Sequence, residues 1–354
     1  MVHDGGKLSN IQVLRAVAAT LVIFVHLKIL LSAIGLPAFG ASGVDLFFVI
    51  SGYIMVYTTF GRRVSAADFA RNRIARIVPI YWLMTLLVFS IALVAPALLQ
   101  STTANVVFLI KSLAFIPFYR APGDFSPILF VGWTLNYEMF FYALFALGLL
   151  FPSSRQGLLF TLAVLAGLSL AGCLGLSEDS IFQFYTQPIM LEFALGMLIA
   201  IVFRKSWAFS APLWRYVLIA LALLGLAVLI APPFLPGTGR FNGFLSHGLA
   251  AALTVWAALA LEKRGDYVRM GLLVSLGDAS YSMYLTHPFV VQTFQRLFAS
   301  AAGHSLVSLL FIVLCLAAVM ALALVVHRVI EVPLTRLARH VMGIGTRRRA
   351  FHVA

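Results

Sequence analysis

The chain has 354 residues, of which 62% are hydrophobic and only 10% are charged, and its mean hydropathy is +1.01. A soluble domain carries about 25% charged residues, so this composition excludes a soluble globular protein. The net charge of +13 does not indicate nucleic-acid binding, because the cations are grouped in short loops between apolar runs. Cys173 and Cys315 lie in apolar runs and provide neither a disulfide framework nor a metal site.

The first apolar run, residues 11–31, contains Arg15 and His26, which are eleven residues apart. At ~100° and ~1.5 Å per helical residue, both side chains share one face and lie about 16 Å apart along the axis. Because neither side chain is stable in lipid, both should face protein or a water-filled cavity, which suggests a path across the membrane. Together with Lys28 they interrupt the run, so we expect a membrane span and not a cleaved signal peptide.

The apolar runs predict an all-α fold, a polytopic membrane helical bundle of about ten transmembrane helices. The predicted helices cover residues 11–31, 43–60, 77–98, 133–151, 157–176, 187–203, 214–232, 243–261, 273–297 and 306–327. Segment 105–118 is shorter and contains Lys111, so it is predicted to be interfacial or re-entrant. If the N- and C-termini are cytoplasmic, the loops richest in lysine and arginine also lie on the cytoplasmic side. The positive-inside rule therefore predicts cytoplasmic termini. Residues 8–333 are predicted as one membrane domain, and 334–354 as a basic cytoplasmic tail, with Arg347–Arg349 contacting anionic membrane lipid.

The second predicted helix opens with GVDLFFVISGY, residues 43–53. Asp45 lies near its outer end. A carboxylate there either orients a neighbouring transmembrane histidine and stabilises its protonated form, or has a structural role as a cap or ion pair. Ser51 and Gly52 lie midway, and small residues favour a close crossing of two helices.

The next inner loop and helix contain RNRIARIVPIYW, residues 71–82, with Arg71, Arg73 and Arg76 at the predicted cytoplasmic surface. Positive-inside anchoring by itself accounts for such arginines. The alternative is a polyanion site at the cytoplasmic mouth, because guanidinium groups match phosphate oxygens in pairs.

Two carboxylates lie in the outer halves of later helices: Glu138, which follows Trp133 in GWTLNYEMFFYALF, and Glu192 in QPIMLEFALG. The aromatic residues around Glu138 are typical of an interfacial belt, but a carboxylate within an apolar run needs a partner or water. The two positions suggest a polar cavity open to the outside. The alternative is a structural ion pair with arginine or lysine in each case.

The sequence SLGDASYSMYLTHP, residues 275–288, spaces Tyr281, Tyr284 and His287 by three, so they form one stripe on a helix. Pro288 is expected to kink this helix and to free a backbone carbonyl near the imidazole. His287 is then either part of a polar site or a core histidine with a satisfied hydrogen bond. No P-loop, GxSxG or HExxH motif is present, and no segment has the spacing of metal ligands.

Taken in order, these motifs resemble those of the acyltransferase 3 family of integral membrane O-acyltransferases, and more narrowly bacterial exopolysaccharide-production acetyltransferases. The resemblance covers about residues 8–333. It rests on the frame of Arg15, ten residues and His26, and on the motifs at residues 43–53, 73–82, 132–145 and 275–288.

The resemblance implies a ten-helix protein of the bacterial inner (cytoplasmic) membrane that uses cytoplasmic acetyl-CoA as acyl donor, with no metal. The implied acceptor is a hydroxyl of a polysaccharide or lipid-linked sugar of the cell envelope, with polysaccharide assembly proteins as partners and without nucleic acid. In that family an arginine and a histidine of the first helix are regarded as essential, and they correspond to Arg15 and His26. The family's arginines after the second helix correspond to Arg73 and Arg76.

The predicted catalytic residues are His26 as general base, Asp45 as its orienting group, and Arg15 as a ligand of the CoA arm or of the thioester oxyanion. The predicted donor-binding residues are Arg71, Arg73, Arg76 and Tyr81. The predicted acceptor-binding residues are Trp133, Glu138, Glu192, Tyr281, Tyr284 and His287. An acetyl-His26 intermediate is the mechanistic alternative, and a longer donor such as succinyl-CoA stays open. The alternative functions are a transporter or flippase of lipid-linked sugar, and a non-catalytic scaffold.

Overall fold

The computed structural model describes residues 8–62, 64–99, 102–120, 124–204, 211–231, 243–299 and 305–344. The helices of the first half are α1 (Ser9–His26), α2 (Lys28–Ser32), α3 (Gly43–Thr59), α4 (Ala66–Val94), α5 (Val106–Leu113), α6 (Trp133–Gly148), α7 (Ser154–Cys173) and α8 (Ser180–Tyr185). Those of the second half are α9 (Leu191–Phe203), α10 (Leu213–Ile230), α11 (Leu249–Arg264), α12 (Gly271–Asp278), α13 (Ser280–Ala299), α14 (Ser305–Val326) and α15 (Val332–Val341). The predicted all-helical fold is confirmed for the described residues.

Among the described residues, six helical segments are long and apolar enough to cross a membrane: Ser9–His26, Ala66–Val94, Ser154–Cys173, Leu213–Ile230, Phe244–Arg264 and Leu306–Val341. Gly43–Thr59 and Pro188–Phe203 are shorter apolar helices. A multi-pass membrane protein is therefore confirmed. The number of about ten spans and the cytoplasmic location of both termini stay predictions.

Helix α4 begins at Ala66, well before the predicted start at residue 77. The arginine-rich stretch that precedes the apolar run is also helical. The hydroxyl of Ser65 caps this helix by accepting a hydrogen bond of 2.9 Å from the backbone N–H of Asp68. Apolar composition marks the part of a helix that lies in lipid, whereas arginine is a good helix former outside it. Hydropathy therefore misplaced the boundary.

The predicted helix 273–297 is divided into α12 and α13 around Ala279. Segment 105–118 contains the short helix α5, which Asn105 caps through the backbone N–H of Phe108 at 3.1 Å. A short helix in this segment agrees with the prediction, because eight residues are too few to span a bilayer.

The chain forms two compact units. Among the described residues, unit 1 consists of residues 8–58 and 191–327, and unit 2 consists of residues 59–190 and 328–344. Helices α1–α3 and α9–α14 therefore belong to unit 1, and α4–α8 and α15 belong to unit 2.

Helix α1 is the buried helix around which unit 1 packs, with α11, α12 and α13 against it. The carboxylate of Glu262 accepts hydrogen bonds from the backbone N–H groups of Ser9 at 2.6 Å and Asn10 at 2.8 Å. A carboxylate satisfies the free N–H groups at a helix N-terminus and also complements the helix dipole. This contact fixes the start of the helix that carries Arg15 and His26.

Unit 1 contains a close helix crossing between α3 and α9. A Cβ atom on Gly52 would overlap the carbonyl oxygen of Phe193, and one on Gly196 would overlap the carbonyl oxygen of Val49. The absence of side chains lets the two backbones touch, as small residues do in membrane helix pairs. The crossing that Ser51 and Gly52 predicted is therefore confirmed.

In unit 2, helix α4 packs against α5, α6 and α15. Helix α15 occupies much of the described part of the predicted tail, and the division into residues 8–333 and 334–354 stays a prediction. The predicted lipid contact of Arg347–Arg349 lies outside the described residues.

Candidate functional site

The imidazole rings of His26 and His287 lie side by side in unit 1. Their ring centroids are 5.2 Å apart and their planes are inclined by 31°. His26 is the last residue of α1 and is half-buried, whereas His287 on α13 has 0% of its surface exposed. Two histidines from nearly opposite ends of the chain thus form one pair, which the sequence did not predict.

The tautomer of His287 follows from the proline that comes after it. Pro288 has no N–H, so the carbonyl of Tyr284, four residues earlier, loses its helical partner. The Nδ1 atom of His287 lies 2.8 Å from that carbonyl oxygen. Since a carbonyl only accepts, Nδ1 donates, and in the neutral ring Nε2 keeps the lone pair. The predicted carbonyl freed near the imidazole is confirmed.

The Nε2 atom of His287 is buried and has no hydrogen-bond partner within the described part of the chain. It therefore remains available as an acceptor next to the ring of His26. Tyr284 completes this region, with its ring centroid 6.0 Å from that of His287. Tyr281 lies one turn earlier on α13 and is half-buried.

Asp45 pairs with Glu192. Their side chains interact at the beginnings of α3 and α9, and both are buried, Glu192 with only 1% of its surface exposed. The Oε2 atom of Glu192 has no hydrogen-bond partner within the described part of the chain. His247 also interacts electrostatically with Asp45. The sequence suggested His26 as the neighbour of Asp45; the structure places Glu192 there and gives His26 the neighbour His287. A catalytic role for Asp45 stays a prediction.

Arg15 is buried within unit 1. Its Nη1 atom donates a hydrogen bond of 3.4 Å to Oε1 of Gln12 on the same helix. The backbone of Gly277 on α12 packs against the carbonyl of Gln12, where a Cβ atom would overlap it. Arg15 and His26 both lie on one continuous helix, α1, as the sequence predicted.

Unit 2 holds Arg73 in an aromatic and polar setting. The guanidinium carbon lies 5.9 Å from the ring centroids of both Phe69 and Tyr142, and only 7% of the residue is exposed. Its side chain also interacts electrostatically with Tyr142, Glu138 and Arg76. Cation–π contacts and nearby opposite charges are what allow a guanidinium to stay buried.

The hydroxyl of Tyr142 donates a hydrogen bond to Oε1 of Glu138, one turn earlier on α6. Glu138, Tyr142 and Arg73 therefore form one polar chain across α6 and α4. The sequence assigned Glu138 to the acceptor and Arg73 to the donor, so this connection was not predicted. Trp133 begins α6 and packs edge-on against Tyr137, with ring centroids 6.0 Å apart.

Two predicted donor ligands lie apart from this chain. Arg71 is exposed and its Nη1 atom lies 3.9 Å from a carboxylate oxygen of Asp68. The hydroxyl of Tyr81 donates a hydrogen bond of 3.2 Å to the carbonyl of Ser112, and its ring packs 4.8 Å from that of Phe115. Tyr81 therefore anchors the segment that contains α5, and its assignment to donor binding stays a prediction.

Sequence reasoning missed Glu262, His247 and Arg339 as members of the polar clusters. Glu262 closes an apolar run and reads as a surface charge, yet it caps α1. Arg339 was assigned to the tail, yet α15 packs against α4 and Arg339 interacts electrostatically with Arg76. The amphipathic pattern of residues 332–341 was the available signal for this helix.

Comparison with known proteins agrees with the motifs. A sequence profile described as an acyltransferase domain, that of acyltransferase 3, matches residues 8–328. The chain belongs to the acyltransferase 3 family. It is therefore a membrane O-acyltransferase, and the resemblance inferred from the motifs is confirmed. The match favours an enzyme over a transporter of lipid-linked sugar.

Relatives within this acyltransferase family include the exopolysaccharide production protein ExoZ of Rhizobium meliloti (strain 1021), 38% identical over 71% of this chain and 77% of that protein. The putative membrane-bound transacylase BcsY of Komagataeibacter xylinus is 28% identical over 86% of this chain and 78% of that protein. The O-acetyltransferase OatA of Staphylococcus aureus (strain NCTC 8325 / PS 47) is 24% identical over 71% of this chain, and the match spans 46% of that protein. No solved structure matches the chain significantly.

Proposed function

We propose that this protein is an O-acetyltransferase of the bacterial inner membrane that moves acetyl from cytoplasmic acetyl-CoA to a hydroxyl of a cell-envelope or exopolysaccharide sugar. The observation that carries the proposal is the pair of His26 and His287, in which one imidazole has a fixed tautomer and an unused acceptor atom. Membership of the acyltransferase 3 family supports the reaction class, and the names of the relatives ExoZ and OatA support polysaccharide and acetyl as its components.

The reaction forms a bond between the acceptor oxygen and the acetyl carbon and breaks the thioester C–S bond. His26 takes the proton of the attacking hydroxyl and returns it to the leaving thiolate, a contribution of about 10²–10⁴-fold for a positioned base. His287 lies beside His26 and supplies an acceptor atom on the acceptor side. Arg15 stabilises the thioester oxyanion or holds the CoA arm.

The remaining predicted residues divide between donor and acceptor. Arg73 and Arg76 hold the phosphates of CoA, and Glu138 positions Arg73 through the hydroxyl of Tyr142. Trp133, Tyr281 and Tyr284 supply aromatic surfaces for the sugar. The pair of Asp45 and Glu192 supplies carboxyl oxygens for acceptor hydroxyls.

The test is transfer of radiolabelled acetyl from acetyl-CoA to acceptor polysaccharide by the purified protein in lipid nanodiscs. We expect transfer by the wild type, none above background by His26→Ala, and wild-type transfer by His340→Gln, which changes an exposed histidine of α15. Equal melting temperatures of the variants exclude unfolding as the cause. Wild-type transfer by His26→Ala would overturn the assignment, and transfer only from succinyl-CoA would overturn the acetyl donor.

A second measurement separates direct transfer from an acetyl-His26 intermediate. The protein is mixed with labelled acetyl-CoA without acceptor and denatured in detergent without added acid. The denatured chain is then analysed for bound label. Because we assign His26 as a base, we expect no retained label. Label on the peptide that contains His26 would establish the covalent route instead.

A further inference from the structure

We propose that Arg339 on α15 joins Arg73 and Arg76 of α4 in one anion site, which binds the phosphate groups of the acyl-CoA donor. The inference rests on the proposed function for the identity of the donor. It adds to the site a residue from the C-terminal helix, a part of the chain that the sequence assigned to a solvated basic tail.

The position of Arg339 is set by the packing of α15. The helix follows a π-helical turn, His327–Glu331, and lies against α4 within unit 2. Pro333 occupies its first turn, where the missing N–H has no helical partner in any case. Isolated π-turns are rare and occur frequently at functional sites. The turn and the proline together start a new helix segment that brings its arginines to α4.

The charges of this region are unbalanced. Arg339 interacts electrostatically with Arg76, and Arg76 with Arg73. Guanidinium groups stay protonated in proteins, so three positive charges adjoin one another. Glu138 also interacts electrostatically with Arg73. Neither Arg76 nor Arg339 forms an ion pair with a carboxylate of the described residues. Adjacent like charges repel, and an anion bound among them would relieve this repulsion.

Two donor atoms in the same region are unused. The Nε atoms of Arg73 and Arg339 are both buried and have no hydrogen-bond partner among the residues that the structure describes. A buried N–H without an acceptor is costly, and these two lie on different helices. A group with several negative oxygens satisfies both requirements, since it neutralises the charges and accepts from the guanidinium forks. Phosphate is the chemistry that fits.

Phosphate on this surface has two sources, the donor and the lipid headgroups. Arg336, one turn before Arg339 on α15, is exposed, whereas Arg339 is half-buried with its Nε covered. The exposed Arg336 is the residue of this helix suited to a lipid headgroup at the membrane surface. Arg339 interacts electrostatically with Arg76 of α4. This position favours the acyl-CoA donor, and not a lipid headgroup, as the source of the phosphate. Arg336 therefore provides a matched control with the same charge on the same helix.

The experiment measures the steady-state kinetics of acetyl transfer in nanodiscs of neutral lipid and, in parallel, in nanodiscs of anionic lipid. The proteins are the wild type, Arg339→Gln, Arg339→Lys and Arg336→Gln, and the donors are acetyl-CoA and acetyl-pantetheine, which has no phosphate. We expect Arg339→Gln to raise the KM for acetyl-CoA about tenfold, with kcat and the KM for acetyl-pantetheine unchanged. Arg339→Lys keeps the charge but not the fork, so its KM should lie between the two, and Arg336→Gln should match the wild type.

Three results would overturn the inference. The first is a KM of Arg339→Gln equal to that of Arg336→Gln. The second is an equal loss with acetyl-pantetheine, which indicates a structural defect. The third is a loss that appears only in discs of anionic lipid, which assigns Arg339 to a headgroup. If Arg339→Gln does not fold, competition by inorganic pyrophosphate is compared between the wild type and Arg339→Lys, and equal inhibition overturns the inference. Failure of the wild type to use acetyl-CoA would refute the proposed function instead.

Discussion

Apart from the buried Arg15, the candidate-site residues of the two units differ in kind. Unit 1 contains the histidine pair His26–His287 and the carboxyl pair Asp45–Glu192, residue types that can take up or release a proton. Unit 2 contains arginines, with Arg73 held by an aromatic cage and by a tyrosine bound to a glutamate, and a guanidinium keeps its charge. On the proposed function, we expect proton transfer to depend on unit 1 and binding of the anionic donor to depend on unit 2. Substitutions should therefore separate kcat from the KM for the donor.

After the complete loss expected of His26→Ala, the largest effect is expected in unit 1, at His287. His287→Asn retains an amide N–H that can donate to the carbonyl of Tyr284 but removes the acceptor atom at the position of Nε2. We expect kcat to fall about a hundredfold, at the lower end of the range for groups that handle protons, with the KM for acetyl-CoA nearly unchanged. Steady-state kinetics with acetyl-CoA measure both constants.

The control for this variant is Thr293→Ala on the same helix, where the hydroxyl is exposed and bonds only to the carbonyl of Phe289. It should behave as the wild type. A wild-type kcat in His287→Asn would show that the imidazole is a core residue with a satisfied hydrogen bond. It would also refute the assignment of proton transfer to the histidine pair of unit 1.

A smaller effect, on the KM for acetyl-CoA and not on kcat, is expected in unit 2, at Arg73. Arg73→Gln removes a charge whose hydrogen bonds to an anion contribute about 1.5–3 kcal/mol, so the KM for acetyl-CoA should rise roughly ten- to a hundredfold. The value of kcat at saturating donor should change much less. Arg155→Gln, an exposed position on α7 of the same unit, is the reference. A fall in kcat without a change in KM would contradict the assignment of donor binding to unit 2.

The smallest effect on activity is expected from the helix crossing in unit 1. Gly52→Ala forces a methyl group into the carbonyl of Phe193, and overpacking of this kind costs about 1–3 kcal/mol. The melting temperature should fall by several degrees, while the KM for acetyl-CoA stays within about twofold. Gly167→Ala on α7 meets no atom within 4 Å and should leave the melting temperature unchanged or raise it, because alanine favours helix. Equal melting temperatures of the two variants would refute the close crossing.

Conclusions that depend only on neighbouring residues could be drawn without the structure. Hydropathy identified a multi-pass helical membrane protein, helical periodicity placed Arg15 and His26 on one helix, and Pro288 identified a free carbonyl beside His287. The small residues at Ser51 and Gly52 predicted a close crossing that α3 and α9 indeed make. Each of these conclusions follows from backbone geometry over a few turns, which the local sequence controls.

The partners of the helix faces came from packing between distant segments. In the folded chain His26 lies beside His287 and not beside Asp45, Asp45 lies beside Glu192, and Arg73 is linked to Glu138 through Tyr142. Arg339 from the predicted tail interacts with Arg76 of α4. Periodicity gives the face of a helix on which a residue lies, but the partner of that face comes from packing between segments far apart in the chain. For this reason the helix and face of each polar residue could be predicted, whereas its partner could not.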